Sequence, residues 1–109
     1  GAMPYLAGRI EMLARNNPRL AERLGPGIGT LLGRHYYDTA LSAHRYAFAT
    51  LRALVPAARI LFGSDFPYGP PDQIESTISG LAALDLSASA RAEIDRDNAL
   101  ALFPRLARG

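Results

Sequence analysis

Two aspartates stand where chemistry is possible. Asp65 comes two residues after the apolar run Ile60-Leu61-Phe62-Gly63, and Asp38 closes the aromatic stretch His35-Tyr36-Tyr37. A carboxylate just past the end of a strand can hold a hard or borderline metal ion, or take a proton from a bound water. The plain alternative for Asp65 is a turn or helix-capping role ahead of Phe66-Pro67, and residue type alone leaves both open. The two histidines, His35 and His44, stand nine residues apart. One begins a strand and the other opens a helix, so surface or capping roles are expected of both. With no cysteine in the chain, neither a thiolate metal site nor a disulfide framework is available.

The elements that would position these groups follow from periodicity. The spacing predicts a helix over 5–16, with Leu6, Ile10 and Leu13 on one stripe and Arg9 and Arg15 off it. Pro18 ends that helix and starts a short one closing at Gly25, with Asn17 as its cap. Gly25-Pro26-Gly27-Ile28-Gly29 reads as a loop, either mobile or closely packed. Residues 35–40 read as a strand, and Ser42 as the cap of a helix over 43–54 with Tyr46, Ala47, Leu51 and Leu54 on one stripe. Residues 59–63 form a continuously apolar strand and 64–71 a polar, proline-rich loop. Two helices follow, over 71–84 and 88–103, the second capped by Ser87 and closed near Phe103-Pro104.

Strand, helix, strand, helix is a βαβα unit, in which the crossover forces parallel pairing. Two parallel strands do not stand alone, because an apolar strand needs cover on both faces and each has a second edge wanting a partner. The fold class is therefore α/β, and the chain reads as a piece of a larger sheet or barrel. In such folds functional groups gather beyond the carboxyl ends of strands, where both aspartates fall.

Composition excludes several classes. At 109 residues and 49% hydrophobic, the chain is one small globular domain at most and not a disordered segment. No apolar run approaches the roughly 20 residues that cross a bilayer, so no membrane partner is expected, and without a leader a cytoplasmic location is the default. All twelve basic residues are arginine, set against ten acidic ones. They are scattered, without the aromatic interleaving of a nucleic-acid surface, and read as coding bias rather than as a binding site.

Ile60-Leu61-Phe62-Gly63-Ser64-Asp65-Phe66-Pro67-Tyr68 resembles the eighth-strand motif of the metal-dependent amidohydrolase superfamily. More narrowly, it is similar to the amidohydrolase-related branch that contains aminocarboxymuconate-semialdehyde decarboxylase and related aromatic-acid decarboxylases. Three further stretches agree in order and spacing across essentially the whole chain: Pro4-Tyr5-Leu6-Ala7-Gly8-Arg9, Tyr36-Tyr37-Asp38-Thr39-Ala40 and Asp97-Asn98-Ala99-Leu100-Ala101-Leu102-Phe103. The resemblance implies a (β/α)8 TIM barrel, of which residues 1–109 are a single partial domain, the C-terminal part with the last two strands and their helices. It implies one divalent metal, commonly zinc, with Asp65 as metal ligand and as a handler of the proton of metal-bound water. It matches Arg9 to an arginine that reaches from one subunit towards the neighbour's substrate carboxylate, and a homo-oligomer is expected. The plain alternative for Arg9 is a solvated helix arginine. Asn98 matches a structural position, fixing the last turn by hydrogen bonds.

The departures from that family matter as much. Its other metal ligands come from a His-x-His pair on the first strand and a histidine on a middle strand. Another active-site histidine opens a His-Gly-Gly-Gly run just ahead of the Pro-Tyr-x-x-Gly-Arg motif. None lies in this chain, and His35 and His44 match no ligand position. Gly1-Ala2-Met3 reads either as native sequence following that run or as a two-residue scar before a start methionine. One carboxylate does not hold a catalytic zinc, so the chain alone is expected to carry no cofactor and to catalyse nothing. The complete protein would be a hydrolase or a non-oxidative decarboxylase acting on a small carboxylated or aromatic substrate, and Pro4 to Arg9 favours the decarboxylase branch. The alternatives are a non-catalytic, self-associating helical module and one half of a split enzyme.

Overall fold

In the computed structural model, which describes residues 2–108, helices carry most of the chain and frame two short strands. α1 (Met3–Arg15) is followed by α2 (Pro18–Leu24), which Asn17 caps by accepting the Leu20 N–H at 3.1 Å. The inward stripe of α1 is turned by one residue from the Leu6, Ile10, Leu13 line expected of it. Ala7 is buried and Ile10 half-buried, whereas Leu6 and Leu13 are 42% and 51% exposed. A small residue at the contact lets α1 lie close to its neighbour. That neighbour is α3 (Ile28–Leu32), a helix where a loop was expected over 25–29. Gly27 enters it at φ +93, a conformation that favours glycine, and Ile28 and Leu32, one turn apart, bury onto Ala7.

β1 (Tyr37–Asp38) and β2 (Ile60–Leu61) pair in parallel, Tyr37 opposite Ile60 and Asp38 opposite Leu61, with α4 (Arg45–Leu54) between them in sequence. Both strands are shorter than the expected 35–40 and 59–63. β1 starts late because His35 closes the turn after α3, its N–H on the Leu32 carbonyl and its Nδ1 2.9 Å from the Leu31 carbonyl. It ends early because the Asp38 carboxylate accepts the Ala40 N–H at 2.9 Å and turns the chain away. β2 is preceded by a 3-10 turn at Ala57–Arg59.

Beyond Asp38 a side chain carries the ladder onward. The Thr39 hydroxyl, 1% exposed, accepts the Gly63 N–H and donates to the Gly63 carbonyl, both at 3.1 Å. Thr39→Val keeps the shape but leaves both Gly63 groups unpaired, so a loss of about 1–3 kcal/mol is expected in urea denaturation. An unchanged midpoint would show the clasp to be dispensable.

α4 is capped by His44 and not, as expected, by Ser42. The Ser42 carbonyl is used in a tight turn, accepting the His44 N–H at 2.8 Å just after Leu41 at φ +56. His44 Nδ1 then accepts the Tyr46 N–H at 3.4 Å. Tyr46 does not join the inward stripe. It is 61% exposed under the Arg45 guanidinium, while Phe48 goes into the core with Val55, Ala57, Ile60, Leu81 and Ile94. α5 (Pro71–Ala82) passes so close to the turn before α4 that a Cβ on Gly80 would collide with the Ala43 carbonyl. Gly80→Ala is expected to cost about 1–3 kcal/mol, read as a fall in Tm, and an unmoved Tm would contradict that packing. α5 stops two residues short of the expected 84, where the Arg91 guanidinium takes the carbonyls of Leu81, Ala82 and Leu84 at 3.1–3.3 Å.

The last helix is not regular. α6 (Ala88–Ala92), begun by the Ser87 hydroxyl accepting the Ala90 N–H, runs into a π turn at Glu93–Asp97 and then into α7 (Asn98–Leu102). The π turn interrupts the helical ladder, and the Ile94 carbonyl instead accepts the Phe62 N–H at 2.8 Å. Buried Asn98 donates from Nδ2 to the carbonyls of Ala57 and Ile60, both at 2.8 Å. Asn98 therefore holds the start of β2, rather than fixing the last turn as expected.

Candidate functional site

Everything that holds β2 in place bears on Asp65, four residues after its end. Asp65 has φ +64, in the left-handed region that favours glycine. Its carbonyl accepts the N–H groups of Tyr68 and Gly69, both at 2.8 Å, and these bonds lock the turn. A non-glycine residue in this conformation costs on the order of 1–3 kcal/mol and persists where its surroundings over-determine it, as at many functional sites. The side-chain contact within this turn comes from Ser64, whose hydroxyl accepts the Phe66 N–H at 3.4 Å. The Asp65 carboxylate is exposed and makes no hydrogen bond or ion pair among the described residues.

Asp38 lies at the same end of the neighbouring strand. A Cβ on Gly63 would sit 3.0 Å from the Asp38 Cβ, so glycine there is what admits the Asp38 side chain over the end of β2. Its carboxylate already serves the Ala40 N–H. Tyr37 secures β1 from below, donating its phenol to the Leu32 carbonyl at 2.9 Å. Burial pushes that phenol above its ordinary value, so it stays a protonated donor through neutral pH.

The structure does not join the other residues singled out by sequence to this end. Arg9 is exposed on α1 and forms no ion pair among the described residues, where the one salt bridge is Arg96–Asp97 at 3.6 Å. His35 and His44 are engaged with backbone at a turn and a helix cap. Among the described residues no group of three or more His, Cys, Asp and Glu side chains converges as a metal ion requires. A zinc centre takes three protein ligands and a water, so the donors among the described residues do not by themselves fit one. No helix among the described residues is long and apolar enough to cross a membrane.

Three supporting groups escaped sequence reasoning: Thr39, Gly63 and the Ile94 carbonyl. Their partners lie far along the chain, 24 residues apart for Thr39 and Gly63, and carry no local signal beyond a β-branched residue and a glycine at strand ends.

A family model described as amidohydrolase matches residues 1–105. A 6-methylsalicylic acid decarboxylase of Penicillium expansum is 32% identical over 106 residues, covering 97% of this chain and 33% of that protein. The 6-methylsalicylic acid decarboxylase acuB of Aspergillus aculeatus is 40% identical over 113 aligned positions, covering 99% of this chain and 34% of that protein. The chain spans about a third of the length of these relatives.

Proposed function

Since the chain belongs to the amidohydrolase family, whose members have TIM-barrel folds, generally bind a divalent metal and act on small molecules, we propose that it forms part of a decarboxylase. In this reading residues 1–109 are one partial domain, the last two strands and helices of a (β/α)8 barrel completed by polypeptide not in this chain. The substrate is a small aromatic carboxylic acid. Both relatives are named for decarboxylating 6-methylsalicylic acid, which favours loss of CO2 over hydrolysis.

The chain's contribution is Asp65. Exchanging an aromatic carboxylate for hydrogen breaks the ring–carboxyl bond and forms a ring C–H bond, so one proton must be delivered for each CO2 released. An exposed carboxylate at the end of a strand, without a hydrogen-bond or ion-pair partner among the described residues, suits the handling of that proton. In the completed barrel Asp65 is also one ligand of the divalent metal, probed with zinc. Arg9, exposed on α1, receives the substrate carboxylate of the neighbouring subunit in a homo-oligomer.

The observation that carries this reading is the left-handed, doubly hydrogen-bonded backbone of Asp65 with its carboxylate left over. Its consequence for the isolated chain is testable by elemental analysis. With one ligand of the usual three, the purified chain should hold no stoichiometric zinc and release no CO2 from 6-methylsalicylic acid. A tightly held equivalent of zinc would overturn the ligand assignment.

A second reading, a self-associating module without catalysis, is favoured by the outer face of α1, where Tyr5, Met12 and Leu13 are 70%, 54% and 51% exposed. Sedimentation and a CO2-release assay together separate the two. Self-association with no gain of activity on adding the rest of a barrel fits the module.

A further inference from the structure

The two histidines hold backbone in opposite senses. His35 Nδ1 lies 2.9 Å from the Leu31 carbonyl, so that nitrogen carries a proton and donates. His44 Nδ1 meets the Tyr46 N–H at 3.4 Å, so that nitrogen is bare and accepts. A second proton on His35 goes to Nε2 and leaves its bond intact. A second proton on His44 must take Nδ1, and the acceptor that caps α4 is gone.

The charge it brings is also badly placed. α4 begins at Arg45 and has no acidic residue in its first turn, so the partial positive charge of the helix start already faces one cation. The Arg45 guanidinium carbon stands 4.6 Å from the centre of the Tyr46 ring, and the centre of the His44 ring lies 5.0 Å from it. A charged His44 therefore shares one phenol with a guanidinium. From α5, Gln73, Ser76 and Thr77 line the small cavity beside His44, and none carries charge. Asp72 and Glu75 of that helix do not line it and pair with no histidine among the described residues. The cap is tied in turn to the end of β1. The His44 N–H donates to the Ser42 carbonyl at 2.8 Å and the Ser42 N–H to the Thr39 carbonyl at 3.0 Å, and Thr39 is the residue that clasps Gly63.

We propose that His44 is a pH-sensitive cap. Uncharged, it fixes the start of α4 and the turn over 39–44; charged, it releases both and loosens the Thr39–Gly63 clasp. Histidine changes charge between about pH 5 and 8. Because the folded cap needs the neutral ring, its contribution is complete at the alkaline end of that range and is lost as pH falls. The inference stands on this chain alone and does not depend on the role given to Asp65.

Amide exchange of the whole chain tests it, read as protection factors at about pH 7.5 and about pH 5, either side of the histidine range, so that the intrinsic dependence on pH cancels. Protection of the Tyr46 amide should fall about tenfold at the lower pH, as expected for a lost N-cap with a like charge added. Gly63 should fall with it, while Phe62, held by the Ile94 carbonyl, keeps its value. His44→Asn supplies a capping acceptor that does not titrate, so Tyr46 should stay protected at both pH values. His44→Ala should leave it poorly protected at both, and His35→Gln should retain the fall of the parent chain.

The proposal is overturned if Tyr46 is equally protected at both pH values in the parent chain. It is overturned also if His44→Asn shows the same fall, or if His35→Gln abolishes it. A fall at Tyr46 with Gly63 unchanged would overturn the link from the cap to the clasp.

Discussion

Replacing Asn98 with alanine should lower the unfolding free energy by about 2–4 kcal/mol. Asn98 is buried, and its Nδ2 reaches two carbonyls at 2.8 Å that lie 41 and 38 residues away in sequence. Alanine leaves both acceptors without their donor, and an unsatisfied buried polar group costs about 1–3 kcal/mol. A domain of this size has about 5–15 kcal/mol in all, so the variant should sit close to unfolding. Asn98→Asp should be at least as damaging, because it presents a charged acceptor to two carbonyls. Urea denaturation reads both variants, and amide exchange at Phe62 should rise in parallel because the adjoining π turn loses its anchor. A loss below about 0.5 kcal/mol, the range of an ordinary surface substitution, would show that other contacts hold β2.

The second large effect divides stability from activity at Asp65. Glycine adopts φ +64 without a Cβ penalty, so Asp65→Gly should stabilise the chain by about 1 kcal/mol. Asn also tolerates the left-handed region, so Asp65→Asn should leave stability nearly unchanged. Both should lower decarboxylation by the assembled enzyme by roughly 10²–10⁴-fold, the contribution of a positioned proton-transfer group. If Asp65→Gly destabilises instead, the carboxylate is a structural cap and its place in the chemistry is lost.

How far these features could be read from sequence depends on where their causes lie. Asn17 and Ser87 were readable as caps because capping is local, and Asp65 could be placed after a strand because an apolar run of four residues bounds it. Periodicity located α1 but could not decide between two adjacent apolar stripes. Leu6 and Ala7 are both apolar, and only the nearness of Ile28 and Leu32 selects the smaller. The same ambiguity put Tyr46 in place of Phe48 on α4. α3 was hidden by glycines at 25, 27 and 29 that read as loop, although Ile28 and Leu32 carried the helical spacing. The π turn leaves no mark in Glu93-Ile94-Asp95-Arg96-Asp97, because its cause is the Phe62 N–H on another element. The left-handed backbone of Asp65 is set by bonds from Tyr68 and Gly69, in a turn of the kind that residue type alone left open and where aspartate tolerates such a conformation.

Transplantation decides whether this chain supplies the working carboxylate of an amidohydrolase-type decarboxylase through Asp65. Residues 1–105 replace the matching third of the Penicillium expansum decarboxylase, and CO2 release from 6-methylsalicylic acid is compared between that chimera and its Asp65→Asn form. Release by the first and a loss of about 10²–10⁴-fold in the second are expected. Equal release by the two would contradict that role for Asp65.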